Sequence, residues 1–153
     1  MTTGDELQFV VFRLGNQEFA LSIFQVERIT RFETPAPLPK APDFLEGVMP
    51  YGGRVVPLID LRKRLGLLAE YREETRVMVL QLEEEPVAVV VDQVREVLRV
   101  DTRTITPPSP MVRGLAAEYV SGIIARPGRT IIVLHAGRLL SSSERLALSE
   151  AMT

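Results

Sequence analysis

The sequence predicts a mostly β protein made of two related small lobes that face each other across a pseudo-twofold axis. Three observations carry that prediction. An ordered set of apolar blocks occurs twice, the blocks are short period-two runs rich in branched residues, and the connectors between them carry turn chemistry.

The duplication is explicit. Phe9-Val10-Val11-Phe12-Arg13-Leu14 recurs class for class as residues 77–82, and residues 19–29 recur as residues 87–97, both at an offset of 68 residues. Gly47-Val48-Met49-Pro50-Tyr51-Gly52-Gly53-Arg54 and its continuation to Ile59 recur as residues 122–134 at an offset of 75 residues. Element order is kept and only loop lengths differ. Two copies are too few for a solenoid, so paired lobes are the natural reading. A copy of about 70 residues buries only about 60% of its unfolded surface and is marginal alone, so the halves are predicted to share a core. We place the first lobe at residues 15–70 and the second at 71–140 within one domain spanning 1–153, with a first strand at 7–14 able to pack on either lobe.

Taken in order, residues 7–14 alternate as a strand, and Gly15-Asn16 supplies a hairpin turn. Ser22 with Gln25 fits a capping box. Thr34-Pro35-Ala36-Pro37-Leu38-Pro39 cannot occupy a central strand, because proline lacks the amide donor. Gly52-Gly53 joins two apolar runs as a second hairpin. Asp60 can cap a short helix over 61–65 that Gly66 ends. Strands follow at 76–82 and 87–91 around Glu83-Glu84-Glu85-Pro86, a run read as a solvated turn. Thr106-Pro107-Pro108-Ser109-Pro110 repeats the earlier proline-dense loop, and Pro127-Gly128-Arg129 turns the chain into a strand at 130–134. A terminal helix at 142–152 contains Leu146 and Leu148, with Ser143 as its cap.

Composition narrows function. Eighteen Lys+Arg against twenty Asp+Glu give a net charge of −2 without a basic cluster, so the electrostatic footprint of a nucleic-acid binder is missing. The polar N-terminus and the lack of any apolar run near about 18 residues predict a soluble, cytoplasmic protein without membrane insertion. With no cysteine, disulfides and thiolate chemistry are absent.

No catalytic constellation emerges. His135 is the only histidine, and its counterpart in the first copy is Asp60, which makes it a cap or loop residue rather than a metal ligand. Asp60 and Asp92 could be paired carboxylates, but both follow apolar strands, where Asp commonly caps. Arg62-Lys63-Arg64 reads as the wet side of a short helix, with a contact patch as the alternative. Neither a phosphate-cradling glycine loop nor a nucleophile elbow is present. The chain is therefore expected to have no catalytic residues, no cofactor and no metal, and to work by presenting surfaces.

The ordered motifs then resemble a known family. Phe12-Arg13-Leu14-Gly15, Phe19-Ala20-Leu21-Ser22-Ile23 with Val26 and Ile29, residues 38–48, Val55-Val56-Pro57-Leu58-Ile59-Asp60-Leu61-Arg62, Val91-Asp92-Gln93-Val94 and Tyr119-Val120-Ser121-Gly122 together resemble the chemotaxis coupling proteins of the CheW family across roughly residues 7–140. The resemblance implies two five-stranded SH3-like barrels packed on each other. It also implies a non-catalytic adaptor that binds the cytoplasmic tip of chemoreceptors and the regulatory domain of a CheA-type histidine kinase, recruited to receptor arrays. An apolar groove between barrels could take a receptor helix by its i, i+3, i+4 face.

By that resemblance the candidate partner contacts are Val26, Glu27, Arg28, Gly47, Tyr51, Gly52 and Arg54, while Ile23 and Ile29 are read as core. Two positions depart from the family pattern. Where it has Asn-Leu-Arg-Gly at the first-lobe hairpin tip, this chain has Pro50-Tyr51-Gly52-Gly53, and Arg54 is expected to point elsewhere. After Glu27, where coupling proteins commonly carry Glu, stands Arg28. These departures keep open an accessory protein with weakened kinase binding, and more distantly a double-barrel scaffold outside chemosensing.

Overall fold

The alternating apolar runs form strands wherever the pattern places branched residues on a pleated surface. The computed structural model describes residues 5–82, 85–108 and 117–152, so Glu83, Glu84, Ser109 and Pro110 of the predicted turns lie outside the described residues. In order the elements are β1 (Glu6–Leu14), β2 (Gln17–Ser22), β3 (Val26–Arg31), β4 (Leu45–Tyr51), β5 (Arg54–Asp60), α1 (Leu61–Arg64), β6 (Arg76–Leu82), β7 (Glu85–Val91), β8 (Gln93–Asp101), β9 (Val120–Arg126), β10 (Arg129–Leu134) and α2 (Ser142–Met152).

The strands form two five-stranded sheets, ordered β8-β1-β2-β10-β9 and β3-β6-β7-β5-β4. Neither follows the expected division at residues 15–70 and 71–140. The β1–β2 hairpin joins β8, β9 and β10, and the β6–β7 hairpin joins β3, β4 and β5, so each lobe takes one hairpin from one copy and three strands from the other. The repeat offsets survive this exchange. The parallel pair Ala20↔Val133 matches Ala88↔Leu58, the pair Phe12↔Val94 matches Leu80↔Val26, and the bridge Thr106↔Ile123 matches Ala36↔Val48.

Burial explains the exchange. β1, β2, β6 and β7 are apolar on both faces, a pattern that requires cover on each side. Val10, Phe12, Leu14, Phe19 and Leu21 meet Met78, Leu80, Leu82, Val87, Val89 and Val91 in a central core shared by the lobes. The alternate residues Phe9, Val11 and Ala20 fill the first barrel, and Val77, Val79, Ala88 and Val90 fill the second. The predicted shared core is present, and the chain crosses between sheets at matching points: a 3₁₀ turn over Ile23–Gln25 after β2, and Asp92 after β7.

Capping is mixed. Asp60 accepts the Arg62 amide at 2.9 Å as predicted, and Gly66 at φ 74° follows α1. Ser22 accepts from the Phe24 amide at 3.3 Å, but it opens only the 3₁₀ turn. Ser141, not Ser143, caps α2: its hydroxyl accepts the Glu144 amide at 3.1 Å while the Glu144 carboxylate accepts the Ser141 amide at 2.9 Å, a reciprocal box that Ser143, already inside the helix, sits two residues too late to make. His135 is exposed and makes no side-chain cap. No helix among the described residues is long and apolar enough to cross a membrane.

Candidate functional site

β3 and β4 are the two edges of the second sheet, linked by a side-chain bond. The Tyr51 hydroxyl of β4 donates to the Glu27 carboxylate of β3 at 2.9 Å. That bond raises the pKa of the Tyr51 hydroxyl, with smaller contributions from burial and the Glu27 charge. Residues 34–39 run along the outer edge of β4, pinned by Ala36–Val48 amide-carbonyl pairs of 2.9 and 2.8 Å. Between the edges lies a recess of about 480 Å³ lined by Arg28, Thr30, Arg31, Glu33, Met49 and Tyr51.

The predicted contact residues divide around this seam. Glu27, Arg28, Tyr51 and Gly52 gather at it. Gly52 and Gly53, at φ 56° and 76°, form a two-residue turn that suits residues free to adopt positive φ. Val26 is half-buried against the central core. Gly47 is buried at φ 153° under residues 35 and 36. Arg54 faces away, 3.6 Å from the Glu85 carboxylate. Ile29, read as core, is 40% exposed, because the β3 edge bulges between Val26 and Arg28 and turns its outer face to solvent.

Comparison of the lobes exposes a difference in charge pairing. In the first barrel Arg129 donates to Glu18 through two 2.9 Å bonds and to Glu96 at 2.8 Å, Arg95 lies 3.9 Å from Glu18, and Arg99 lies 3.3 Å from Glu6. The repeat offsets make Arg54 the counterpart of Arg129, Arg28 of Glu96, Pro86 of Glu18 and Arg31 of Arg99. Both acids that hold Arg129 are thus replaced in the second barrel, one by an arginine. The Arg28 and Arg31 guanidiniums make no hydrogen bond or ion pair among the described residues.

The Arg129 hydrogen bond holds the Glu18 carboxyl below its ordinary 4.5, despite opposing burial. A depressed carboxyl contributes stability that is present above its unfolded value and lost as pH falls through the folded one. Glu18→Gln is therefore expected to flatten the acid limb of a stability profile measured by urea unfolding between about pH 5 and pH 3. An unchanged limb would contradict this role.

Sequence reasoning missed one cluster. Arg62, expected on the wet side of α1, is 0% exposed. Its Nε and Nη2 donate to Asp60 at 2.9 and 2.8 Å, and its Nη1 donates to Asp92 at 2.8 Å and to the Glu70 carbonyl. Burial works against the guanidinium charge, but the bonds to Asp60 and Asp92 outweigh it and hold the proton more tightly than usual. Asp92 also accepts the Gly15 amide at the β1–β2 turn. The two carboxylates are thus ion-pair partners, not an acid/base couple. The repeat contained the signal, since Asp60, Arg62 and Asp92 have His135, Gly137 and Phe24 as counterparts and the charges occur in one copy only.

Grooves elsewhere differ from expectation. The junction near Arg13, Gly15, Glu70 and Asp92 is polar, whereas an apolar groove of about 460 Å³ runs between α2 and strands β5 and β7, lined by Val55, Pro57, Val87, Leu148 and Met152. No metal-binding cluster of acids and histidine occurs among the described residues.

The duplicated double barrel with its shared core is the fold of a known family. Residues 8–144 match the family described as "CheW-like domain", and the chain belongs to that family. It is 36% identical to the chemotaxis protein CheW of Klebsiella aerogenes over 94% of this chain and 86% of that protein. It is 31% identical to that of Rhizobium meliloti, covering 92% and 91%, and 29% identical to protein FrzA of Myxococcus xanthus, covering 94% and 91%. The crystal structure of the scaffolding protein TtCheW from Thermoanaerobacter tengcongensis superimposes with a TM-score of 0.82 at 28% identity, covering 90% of this chain and 94% of that one.

Proposed function

We propose that this chain is a non-catalytic cytoplasmic adaptor that couples the cytoplasmic tips of chemoreceptors to the regulatory domain of a CheA-type histidine kinase. The observation that carries the reading is a pair of barrels of one design whose matching edges bear different charges, because such a body offers two distinct faces to two partners. Faces of that kind support head-to-tail contacts that close into rings, and modest interfaces then gain strength by multivalency in an array. The seam residues Glu27, Arg28, Tyr51 and Gly52 are the proposed contact set, with Val26 and Gly47 supporting it from beneath and Arg54 flanking it.

One observation favours a second reading, an accessory protein that keeps receptor docking and has weakened kinase binding. The Pro50-Tyr51-Gly52-Gly53 tip offers no guanidinium, and Arg28 reverses a charge, which at an unaltered interface costs several kcal/mol. Calorimetric titration of the chain against its cognate kinase regulatory domain and, separately, a receptor-tip fragment tests both. The adaptor reading expects micromolar binding to each. Receptor binding alone would favour the accessory protein, and binding to neither would dismiss both.

A further inference from the structure

The two barrels repeat each other strand for strand, so their unlike positions show what each pole lacks. At the pole of the first barrel every arginine that matches one at the seam is held by an acid of this chain: Arg129 by Glu18 and Glu96, and Arg99 by Glu6. At the seam two of those three acids are gone, while Glu6 keeps an acidic counterpart in Glu74. Glu96 is replaced by Arg28 and Glu18 by Pro86, while Arg54 keeps only a 3.6 Å approach to an exposed Glu85. Glu27 is engaged by Tyr51 instead. Arg28 and Arg31 line one recess together with Glu33 over an apolar floor at Val48, Met49 and Val77, whereas Arg54 faces away toward Glu85.

We infer that the seam pole of the second barrel is a receptor for carboxylates, and that the protein docking there presents Asp or Glu side chains to Arg28 and Arg31. The inference rests on the adaptor reading and assigns its kinase-facing partner a chemistry: the regulatory domain that fits this chain is acidic at the contacting edge. Guanidiniums suit this task because a planar fork binds a carboxylate through two parallel bonds. The first barrel shows the geometry within this same fold, since Arg129 grips Glu18 in that manner at 2.9 Å on both arms. The two arginines act as specificity residues: they favour an acidic edge and reject the basic one that a glutamate at position 28 would suit.

The test measures Kd for the cognate kinase regulatory domain at about 50 and about 300 mM salt, where screening of exposed charge differs strongly. Wild type is compared with Arg28→Glu/Arg31→Glu and with Arg138→Glu as a single-reversal control on an exposed position of the other lobe. Binding to the receptor tip and unchanged urea midpoints report that each variant is folded. The double reversal is expected to weaken kinase binding by about tenfold or more and to remove most of its salt dependence, with Arg138→Glu near wild type. Replacing acidic edge residues of the kinase domain by Lys is expected to restore part of the loss in the double variant only. Equal affinity of wild type and the double reversal would overturn the inference and leave the adaptor reading standing. Wild type that binds the receptor tip but not the kinase would overturn the inference in favour of the accessory protein, and binding to neither would remove both. Arginine-dependent binding to phosphatidylserine vesicles in place of the kinase domain would overturn it in favour of a lipid surface.

Discussion

Arg62→Ala is expected to lower stability by about 3–5 kcal/mol, the range for removing one partner of a buried ion pair. The side chain is wholly buried, and its removal leaves the equally buried Asp60 without its main partner. The loss spreads beyond one bond. Arg62 joins α1, the segment at Glu70, and Asp92, which in turn holds the β1–β2 turn through the Gly15 amide. Asp92 is also the single residue by which the chain passes from β7 to β8, so the cluster fastens one of the two crossings between lobes. Arg62→Met keeps the stem without the charge and is expected to be nearly as damaging, since Asp60 stays buried and unpaired. Adding Asp60→Asn to Arg62→Met is expected to recover part of the loss, because a neutral amide costs less to bury than a carboxylate. Urea midpoints of the three variants decide the matter, and a loss below about 1 kcal/mol for Arg62→Ala would contradict the assignment.

Gly47→Ala is expected to cost about 2–4 kcal/mol, through backbone strain and a clash that cannot relax. Gly47 sits at φ 153°, and a Cβ there would lie 2.5 Å from the Ala36 carbonyl oxygen and 2.9 Å from Pro35 Cβ. That carbonyl is held by the Val48 amide, and proline is stiff. The repeat supplies the control. At the matching Gly122 the first obstacle is Ile105 Cγ2 at 2.6 Å, the end of a side chain, with the Thr106 carbonyl at 3.2 Å. Gly122→Ala is therefore expected to be milder by about 1 kcal/mol or more, since a rotamer change can relieve it. Thermal unfolding of both variants checks the order, and a larger loss at Gly122 would contradict the account. In Gly47→Ala the segment at residues 34–36 must also leave β4, which opens the wall of the seam recess.

Much of the fold was legible because its signals are local. Period-two burial, the Gly52-Gly53 turn, the Asp60 cap and the proline-dense edges follow from short-range sterics and backbone hydrogen bonding, and the repeat offsets recur as strand registers. Strand exchange was not legible. Similar sequences pair equally well within or between copies, and only the two-faced apolarity of residues 9–14 and 77–82 hinted that those hairpins sit between sheets. Arg62 was misread because a helix of one turn has no periodicity to distinguish its inner face from its wet one. The seam gathered Glu27, Arg28, Tyr51 and Gly52 from positions about 24 residues apart in the chain, and the resemblance, not the local pattern, linked them. The unequal charge pairing of the poles needed coordinates, since sequence counts charges without showing which are already held.

Sedimentation of the labelled chain with both the kinase regulatory domain and a receptor-tip fragment tests the central claim most directly, because an adaptor must hold two partners at once on different faces. The account predicts one boundary that contains all three components and moves faster than either binary mixture. Two binary boundaries that exchange as one partner is titrated against the other would show a single shared face, and would contradict it.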